Sequence, residues 1–281
     1  MEAISVIIPT YNRRHSIVKS VESVLEQTYP VEEVIVADDC STDDTEDVVR
    51  QIQDSRVRYC RLPDNRGAGG ARNFGVAQAR YDLIAFHDSD DLWIKDKIEK
   101  QMAYWKEHPD CGLIYCAYEM RLAYGILHVV PDIEKQDSPE ARKEMGGKSI
   151  LEGRILKPLL VRNTVGAPTI LMRKDVFEAV DGFDETMRSL EDWDFAIKVA
   201  KEHEIGFVPE ALLKVTCSEG GVSSNLGAYY QSLCYMLRKH RGDYVQTGTF
   251  QRMAQWILES AQRDGLLQQV EKLLLYYMEN G

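Results

Sequence analysis

The sequence predicts an α/β protein with a Rossmann-like half on a mostly parallel sheet, then a second lobe, then a helical C-terminal tail. Three observations carry this. Strand-like and helix-like patterns alternate four times from the N-terminus, three of the strands carry unbroken apolar runs (VIIP, VIVA and LIAF), and polar residues stand at or just beyond the four strand ends.

Ile4 to Pro9 (ISVIIP) is rich in β-branched residues, and His15 to Glu26 follows with Ile17, Val18, Val21, Val24 and Leu25 at helical spacing. The alternation repeats as Glu33 to Asp38 then Asp43 to Gln53, as Val57 to Leu62 then Gly67 to Ala79, and as Leu83 to His87 then Lys95 to Glu107. Strands buried on both faces read as continuous apolar runs, and helical crossovers make such strands parallel. Gly112 to Tyr118 is a fifth strand, and the polar stretch Glu119 to Lys148 receives no fixed conformation.

Beyond it the spacing predicts a strand over Ala167 to Met172, helices over Lys174 to Val180 and Asp192 to Lys201, and a late strand over Leu212 to Val215. From Ala228 onward the apolar residues recur at helical spacing, giving two or three amphipathic helices. The functional division expected is 1–118, 119–227 and 228–281. Packing on the body is the leading use for the tail's apolar stripes, with a homodimer interface and peripheral membrane contact as alternatives.

The chain of 281 residues is 44% hydrophobic and 28% charged, as in ordinary soluble proteins. Its net charge of −11 repels nucleic acid, so that class of partner is excluded. An acidic protein that handles phosphate groups needs local basic side chains or a divalent cation. The six cysteines form no CxxC pair and no N-terminal leader pattern is visible, which points to reduced thiols in the cytoplasm. No apolar run reaches the ~18 residues of a membrane span.

In a doubly wound sheet the ligand lies beyond the carboxyl ends of the strands. Those ends read Pro9-Thr10-Tyr11-Asn12-Arg13, Asp38-Asp39, Asn65 a little past the third strand, and Asp88-Ser89-Asp90-Asp91. An acidic run at a loop is often a solvated turn. Here it follows a buried strand directly, where neighbouring carboxylates repel unless a cation or hydrogen bonds offset them. Mg²⁺ or Mn²⁺, which favours one or two protein carboxylates plus phosphate oxygens, satisfies both requirements. The dinucleotide GxGxxG and the GxxxxGK[ST] phosphate loop are both absent after the first strand, so a dehydrogenase and a P-loop hydrolase are rejected.

Taken together, PTYNR, DDCSTDDT, NRGAGGARN, FHDSDDLW and GFDE…LEDWDF, in this order over about residues 4 to 220, resemble the family-2 glycosyltransferases, inverting enzymes with the GT-A fold. The resemblance implies a nucleotide-sugar site. Pro9, Thr10, Tyr11 and Arg13 belong to its first loop, with the Tyr11 ring stacking on the base and Asp39 accepting a base N–H. Without the family, PTYN reads equally well as a turn and Asp39 as a helix cap. Asn65, Gly67, Gly70 and Arg72 match the NxGxxxARN segment beside the nucleotide. Asp88 and Ser89 fall at the ribose and phosphates, and Asp90 becomes the metal ligand.

Asp91 is expected to cap the next helix, and His87 to be a packed core residue. For Ser189-Leu190-Glu191-Asp192 two readings compete: a capping box opening the following helix, or, as the resemblance implies, an ED pair in which Asp192 is the general base. The implied reaction moves a sugar, with UDP-hexose the default donor, to a hydroxyl of a carbohydrate or lipid-linked acceptor. A cytoplasmic enzyme at the inner membrane face, serving surface polysaccharide or glycolipid synthesis, fits that setting. The rival is a non-catalytic nucleotide-sugar-binding scaffold subunit. Many relatives carry a His after the late strand, where this chain has Lys214-Val215-Thr216-Cys217-Ser218. Lys214, or the loop Glu219 to Asn225 closing as a lid, would have to serve the leaving group instead.

Overall fold

A computed structural model describes residues 2–121, 127–131, 149–216 and 225–279. The first half is the expected alternation: β1 (Ile4–Thr10), α1 (Ile17–Leu25), β2 (Glu33–Asp38), α2 (Thr45–Arg50), β3 (Val57–Arg61), α3 (Gly67–Gln78), β4 (Leu83–Phe86), β5 (Leu92–Trp93) and α4 (Lys97–Glu107). There follow β6 (Cys111–Arg121), β7 (Leu127–Val130), α5 (Leu156–Leu159), β8 (Leu171–Arg173), α6 (Lys174–Ala179), α7 (Glu191–Glu202) and β9 (Glu204–Thr216). The tail is α8 (Leu226–Lys239), α9 (Arg241–Gln246), α10 (Phe250–Arg263) and α11 (Leu267–Glu279).

All these strands form one sheet in the order β3-β2-β1-β4-β8-β6-β9-β5, with β7 paired to β6. The pairs β1·β2, β1·β4, β2·β3 and β6·β9 are parallel, and β8 and β5 run against their neighbours. Strand alternation sends Ile7, Ile84, Phe86, Leu113 and Tyr115 into one core and Ile4, Val6, Ile8, Ala85 and Cys116 into another, on opposite faces. Phe195, Ile197 and Val199 of α7 pack in the first core; Ile17, Val21 and Val24 of α1 with Ile98 and Met102 of α4 pack in the second. α3 lies close on β1 because Gly75 has no Cβ, which would sit 2.5 Å from Ile7 Cγ2.

Four expectations change. The stretch Ala167–Thr169 is a turn of 3-10 helix, and only Leu171–Arg173 extends, because Pro168 has no N–H to give a sheet ladder. The late strand begins at Glu204, since irregularities in its register beside β6 hide its period. The tail holds four helices, with α9 too short to show a period. Part of the 119–148 stretch is strand, in β6 and β7; residues 122–126 and 132–148, and all of the proposed lid except Asn225, lie outside the described residues. Tyr230, Leu233, Met236 and Leu237 of α8, Ile257 of α10 and Val270 of α11 join the first core, so the tail packs on the body.

β4 ends at Phe86 and β5, at the far edge of the sheet, begins at Leu92. Five residues reach at most about 20 Å. The sheet therefore curls so that its far edge returns toward its middle, and the acidic segment 87–91 is the short bridge between them.

Candidate functional site

The site is assembled at the carboxyl ends of β1, β2 and β4. Pro9 is buried inside β1, in register with Ala37. Thr10 ends the strand with its hydroxyl buried and without a partner among the described residues. Tyr11 then emerges, 46% exposed, as an uncovered ring suited to stacking. Asn12 turns the chain at φ 54°, a left-handed conformation that Asn tolerates because its side chain bonds locally; its Oδ1 accepts from the N–H of Thr42 (2.7 Å), and its own N–H donates to Ser41 Oγ (2.8 Å). Arg13 reaches across to Asp90, Nε to Oδ2 3.4 Å.

Asp39 follows β2 and is buried. One of its oxygens accepts from the N–H of Arg66 (2.7 Å) and the other from that of Gly67 (2.8 Å), at the start of α3. Burial lifts this carboxyl above the ordinary range, partly offset by those two N–H groups. Capping and base recognition need not compete, since each carboxylate oxygen has a second lone pair. Gly67 takes φ +78° to present its N–H there, and Asn65 donates to the Asp39 carbonyl (2.9 Å). Gly70 lies in the first turn of α3 against Arg66 and Glu185.

Arg72, on α3, is the hub. It is 4% exposed, and its two Nη groups donate to Asp88 (2.8 Å) and Glu191 (2.7 Å). Burial works against its charge, but the two carboxylates hold it protonated above the usual guanidinium range. The acidic segment after β4 is thus tied by one side chain to the start of α7. Ser89 is buried in that segment, and Asp90 is about one-fifth exposed.

Asp91 does not cap α4; Asp96 stands at that position. The Asp91 carboxylate instead accepts from the N–H of Thr216 (3.1 Å) at the end of β9, and its carbonyl accepts from Ser20 Oγ (2.8 Å). Burial, then the charges of Asp88 and Asp90, raise its pKa to about 8. His87 is a fully buried core residue, as expected, against the Trp93 ring; burial and the Lys97 charge lower its pKa to about 3.

The capping box is absent. α7 begins at Glu191, its N-cap is Leu190 at φ 61°, and Ser189 makes no capping bond. A β-carbon-bearing residue held left-handed costs on the order of 1 kcal/mol, which the surrounding packing maintains. The turn directs Glu191 to Arg72 and leaves Asp192 beside it. Asp192 Oδ1 accepts from the N–H of Trp193 (2.7 Å) and from Asn163 Nδ2 (3.3 Å). Burial, then the charge of Glu191, raises this carboxyl to about 7, against the Arg72 charge that would lower it.

Sequence reasoning missed Arg188, whose Nη1 lies 3.5 Å from Asn65 Oδ1 and whose charge acts on Asp39, and Asn163, which steadies Asp192. Lone polar residues in loops carry no period, and only the fold brings them here. Lys214 is exposed on β9 opposite Leu92, next to the acidic segment.

The carboxylates of Asp88, Asp90 and Glu191 share two guanidiniums, Arg13 and Arg72, and Asp91 and Asp192, both raised toward neutrality, belong to the same cluster. That excess of negative charge fits a divalent cation. Among the described residues no three His, Cys, Asp or Glu side chains converge as a ready-made ion site. Asp88 and Asp90 offer the one or two carboxylates that Mg²⁺ usually takes, the remaining positions going to water and phosphate oxygens.

Fold and site together define an α/β protein of the GT-A type, with its polar groups gathered past the strand ends. The pattern described as Glycosyl transferase family 2 matches residues 5–177, and the chain belongs to that family. An Escherichia coli protein named UDP-Glc:alpha-D-GlcNAc-diphosphoundecaprenol beta-1,3-glucosyltransferase WfgD is 29% identical over 225 residues, 79% of this chain and 80% of that one. WfaP, of the same named activity and also from Escherichia coli, is 45% identical over 104 residues, 37% of this chain and 41% of that one. The structure of Staphylococcus aureus TarS 1-349 in complex with UDP-GlcNAc superposes with a TM-score of 0.65 at 27% identity, covering 84% of this chain and 65% of that one. For two further curated glycosyltransferases, from Bacillus subtilis and Haemophilus influenzae, the match spans 49% and 62% of the relative's length.

Proposed function

We propose that this chain transfers a sugar from a UDP-sugar to an acceptor hydroxyl with inversion, in the assembly of a lipid-linked glycan. The observation that carries the reading is the Arg72 bridge, 2.8 Å to Asp88 and 2.7 Å to Glu191, which sets an acidic segment beside a carboxylate with a pKa of about 7. A base titrating near neutrality is ionised often enough to act and basic enough to take a proton.

In this reading the functional division is 1–118 for the donor, 119–227 for the acceptor and base, and 228–281 as the tail. Tyr11 stacks on the base, and Asp39 accepts its N–H through a remaining lone pair. Thr10 offers a hydroxyl with no partner among the described residues at the same strand end. Asn65, Gly67 and Gly70 let backbone approach the nucleotide, while Arg13 supplies positive charge near it. Arg72 holds Asp88 toward the ribose and phosphates, with Ser89 adjoining. Asp90, with Asp88, would hold a Mg²⁺ or Mn²⁺ ion, which supplies neutralisation of the diphosphate charge when bound. Asp192 takes the acceptor's proton as its oxygen attacks the anomeric carbon in line with the departing UDP. UDP as donor is supported by the names of both Escherichia coli relatives and by the ligand of TarS; a lipid-linked acceptor is supported by the same relatives.

The test is calorimetric titration of UDP with and without Mn²⁺ on wild type and Asp90→Ala, followed by a hydrolysis screen of UDP-sugars on wild type and Asp192→Asn. Metal-dependent UDP binding lost in Asp90→Ala, and slow hydrolysis of one donor lost in Asp192→Asn, are expected. Absence of UDP binding under either metal condition sinks the donor assignment.

A further inference from the structure

The tail differs in charge from the rest of the chain. Residues 226–281 hold six Arg and Lys against five Asp and Glu, a net of +1, so everything before them carries −12. Part of that positive charge is concentrated. Tyr235, Arg238 and Arg241 follow one another at spacings of three across the junction of α8 and α9, which puts them along one side. With Lys239 and Tyr277 of α11 they line a cavity of about 500 Å³.

The members of this cavity differ in how they are used. Lys239 is committed to the body, to Asp184 (2.6 Å) and to the buried Asp194 (2.8 Å). Tyr235 donates to Asp184 (3.1 Å) and packs edge-on against Tyr277 with ring centres 5.9 Å apart. Arg238 and Arg241 have no ion pair or side-chain hydrogen bond among the described residues. The nearby acids are already engaged: Asp184 and Asp194 by Lys239, and Asp243 by Lys201 at 2.7 Å. Two guanidiniums thus line one concave site on an acidic protein with no acidic partner among the described residues. Like charges held together cost free energy, and a bound anion relieves that cost.

From this arrangement we infer that the α8–α9–α11 cavity is a second anion site, taking a phosphate or diphosphate group through Arg238 and Arg241, with Tyr277 at its wall. Guanidinium forks match phosphate oxygens two at a time, and a tyrosine wall suits a group carried at a lipid–water boundary. The site is separate from the donor site and stands whether or not UDP is the donor. Lys239, which also lines it, bonds Asp194 two residues beyond Asp192, so an occupant would bear on the helix carrying the proposed base.

The experiment uses the full chain in metal-free buffer with EDTA, where diphosphate binding at the carboxylate site is not supported. Inorganic pyrophosphate is titrated by calorimetry, and sedimentation is measured with phosphatidylcholine vesicles, plain or with about one third phosphatidylglycerol. The variants are Arg238→Gln/Arg241→Gln, Arg238→Lys/Arg241→Lys, and Arg252→Gln as a charge control elsewhere in the tail. Binding of either probe that falls about tenfold or more in the Gln pair, stays nearer wild type in the Lys pair and is untouched in the control supports the site. Pyrophosphate binding alone assigns it to a soluble phosphate; binding of the anionic vesicles assigns it to a lipid-borne one. Equal binding of both probes by wild type and the Gln pair, with thermal unfolding confirming that each is folded, overturns the inference. Loss of UDP binding in the separate metal-containing titration would count against the donor reading alone.

Discussion

A pH–rate profile reaches most directly into the geometry of Asp192. Its carboxyl sits at about 7 rather than the ordinary 3.8 because the packing around this half-buried residue desolvates it and Glu191 adds a negative charge beside it. A base must be ionised to work, so about one tenth of the enzyme is competent at pH 6 and about one hundredth at pH 5. Initial rates of UDP-sugar hydrolysis or transfer at low donor concentration, measured from pH 5 to 9, should therefore rise about tenfold per unit up to near pH 7 and then level. Glu191→Gln removes the negative neighbour while keeping an oxygen for Arg72, so the acidic limb should move to lower pH. Asp192→Asn should lower kcat by about a hundredfold to ten-thousandfold, with donor affinity within a few-fold of wild type. A rate independent of pH between 5 and 8, or an acidic limb that moves up in Glu191→Gln, would refute the assignment.

The same residue has a thermodynamic signature. Between about pH 4 and 7 the folded protein keeps a proton on Asp192 that the unfolded chain has released, so this contribution to stability falls as pH rises through that window. Asp192→Asn should be more stable than wild type at pH 8, by on the order of a few kcal/mol, and similar at pH 4, as read by urea unfolding at both values. Arg72→Gln leaves Asp88 and Glu191 without their shared cation and should cost about 3–5 kcal/mol, read in the same assay; loss within 1 kcal/mol would mean the bridge is not formed. Lys239→Met strips Asp184 and the buried Asp194 of their cation and should lower stability by a similar ~3–5 kcal/mol, with earlier proteolytic release of the tail. Gly75→Ala forces a methyl toward Ile7 and should cost about 1–3 kcal/mol by thermal unfolding, without changing UDP affinity.

The first half of the fold was legible because β1, β2 and β4 are buried on both faces and α1 has a clear period: Ile4–Thr10 and Ile17–Leu25 are evident from apolar spacing alone. β9 was only partly legible, because Pro209 and the local irregularities beside β6 break its alternation, and two-residue β5 has no pattern to display. In the candidate site, the polar ends of β1, β2 and β4 lie together because these strands are neighbours in the sheet. The role of Asp91 was misjudged because its partner, the N–H of Thr216, is 125 residues away. Ser189-Leu190-Glu191-Asp192 has the spacing of a capping box, yet Leu190 takes a conformation that no propensity favours; there the tertiary contact of Glu191 with Arg72 decides.

The short bridge from β4 to β5 has a further consequence. His87 N–H donates to the Ile7 carbonyl of β1, Ser20 of α1 holds the Asp91 carbonyl, and Thr216 of β9 holds the Asp91 carboxylate. The acidic segment is therefore fastened at both ends to a sheet that curls to meet itself. Its conformational entropy is surrendered when the chain folds, so under the proposed function a donor would meet carboxylates already in their places, and affinity would not be spent on arranging them.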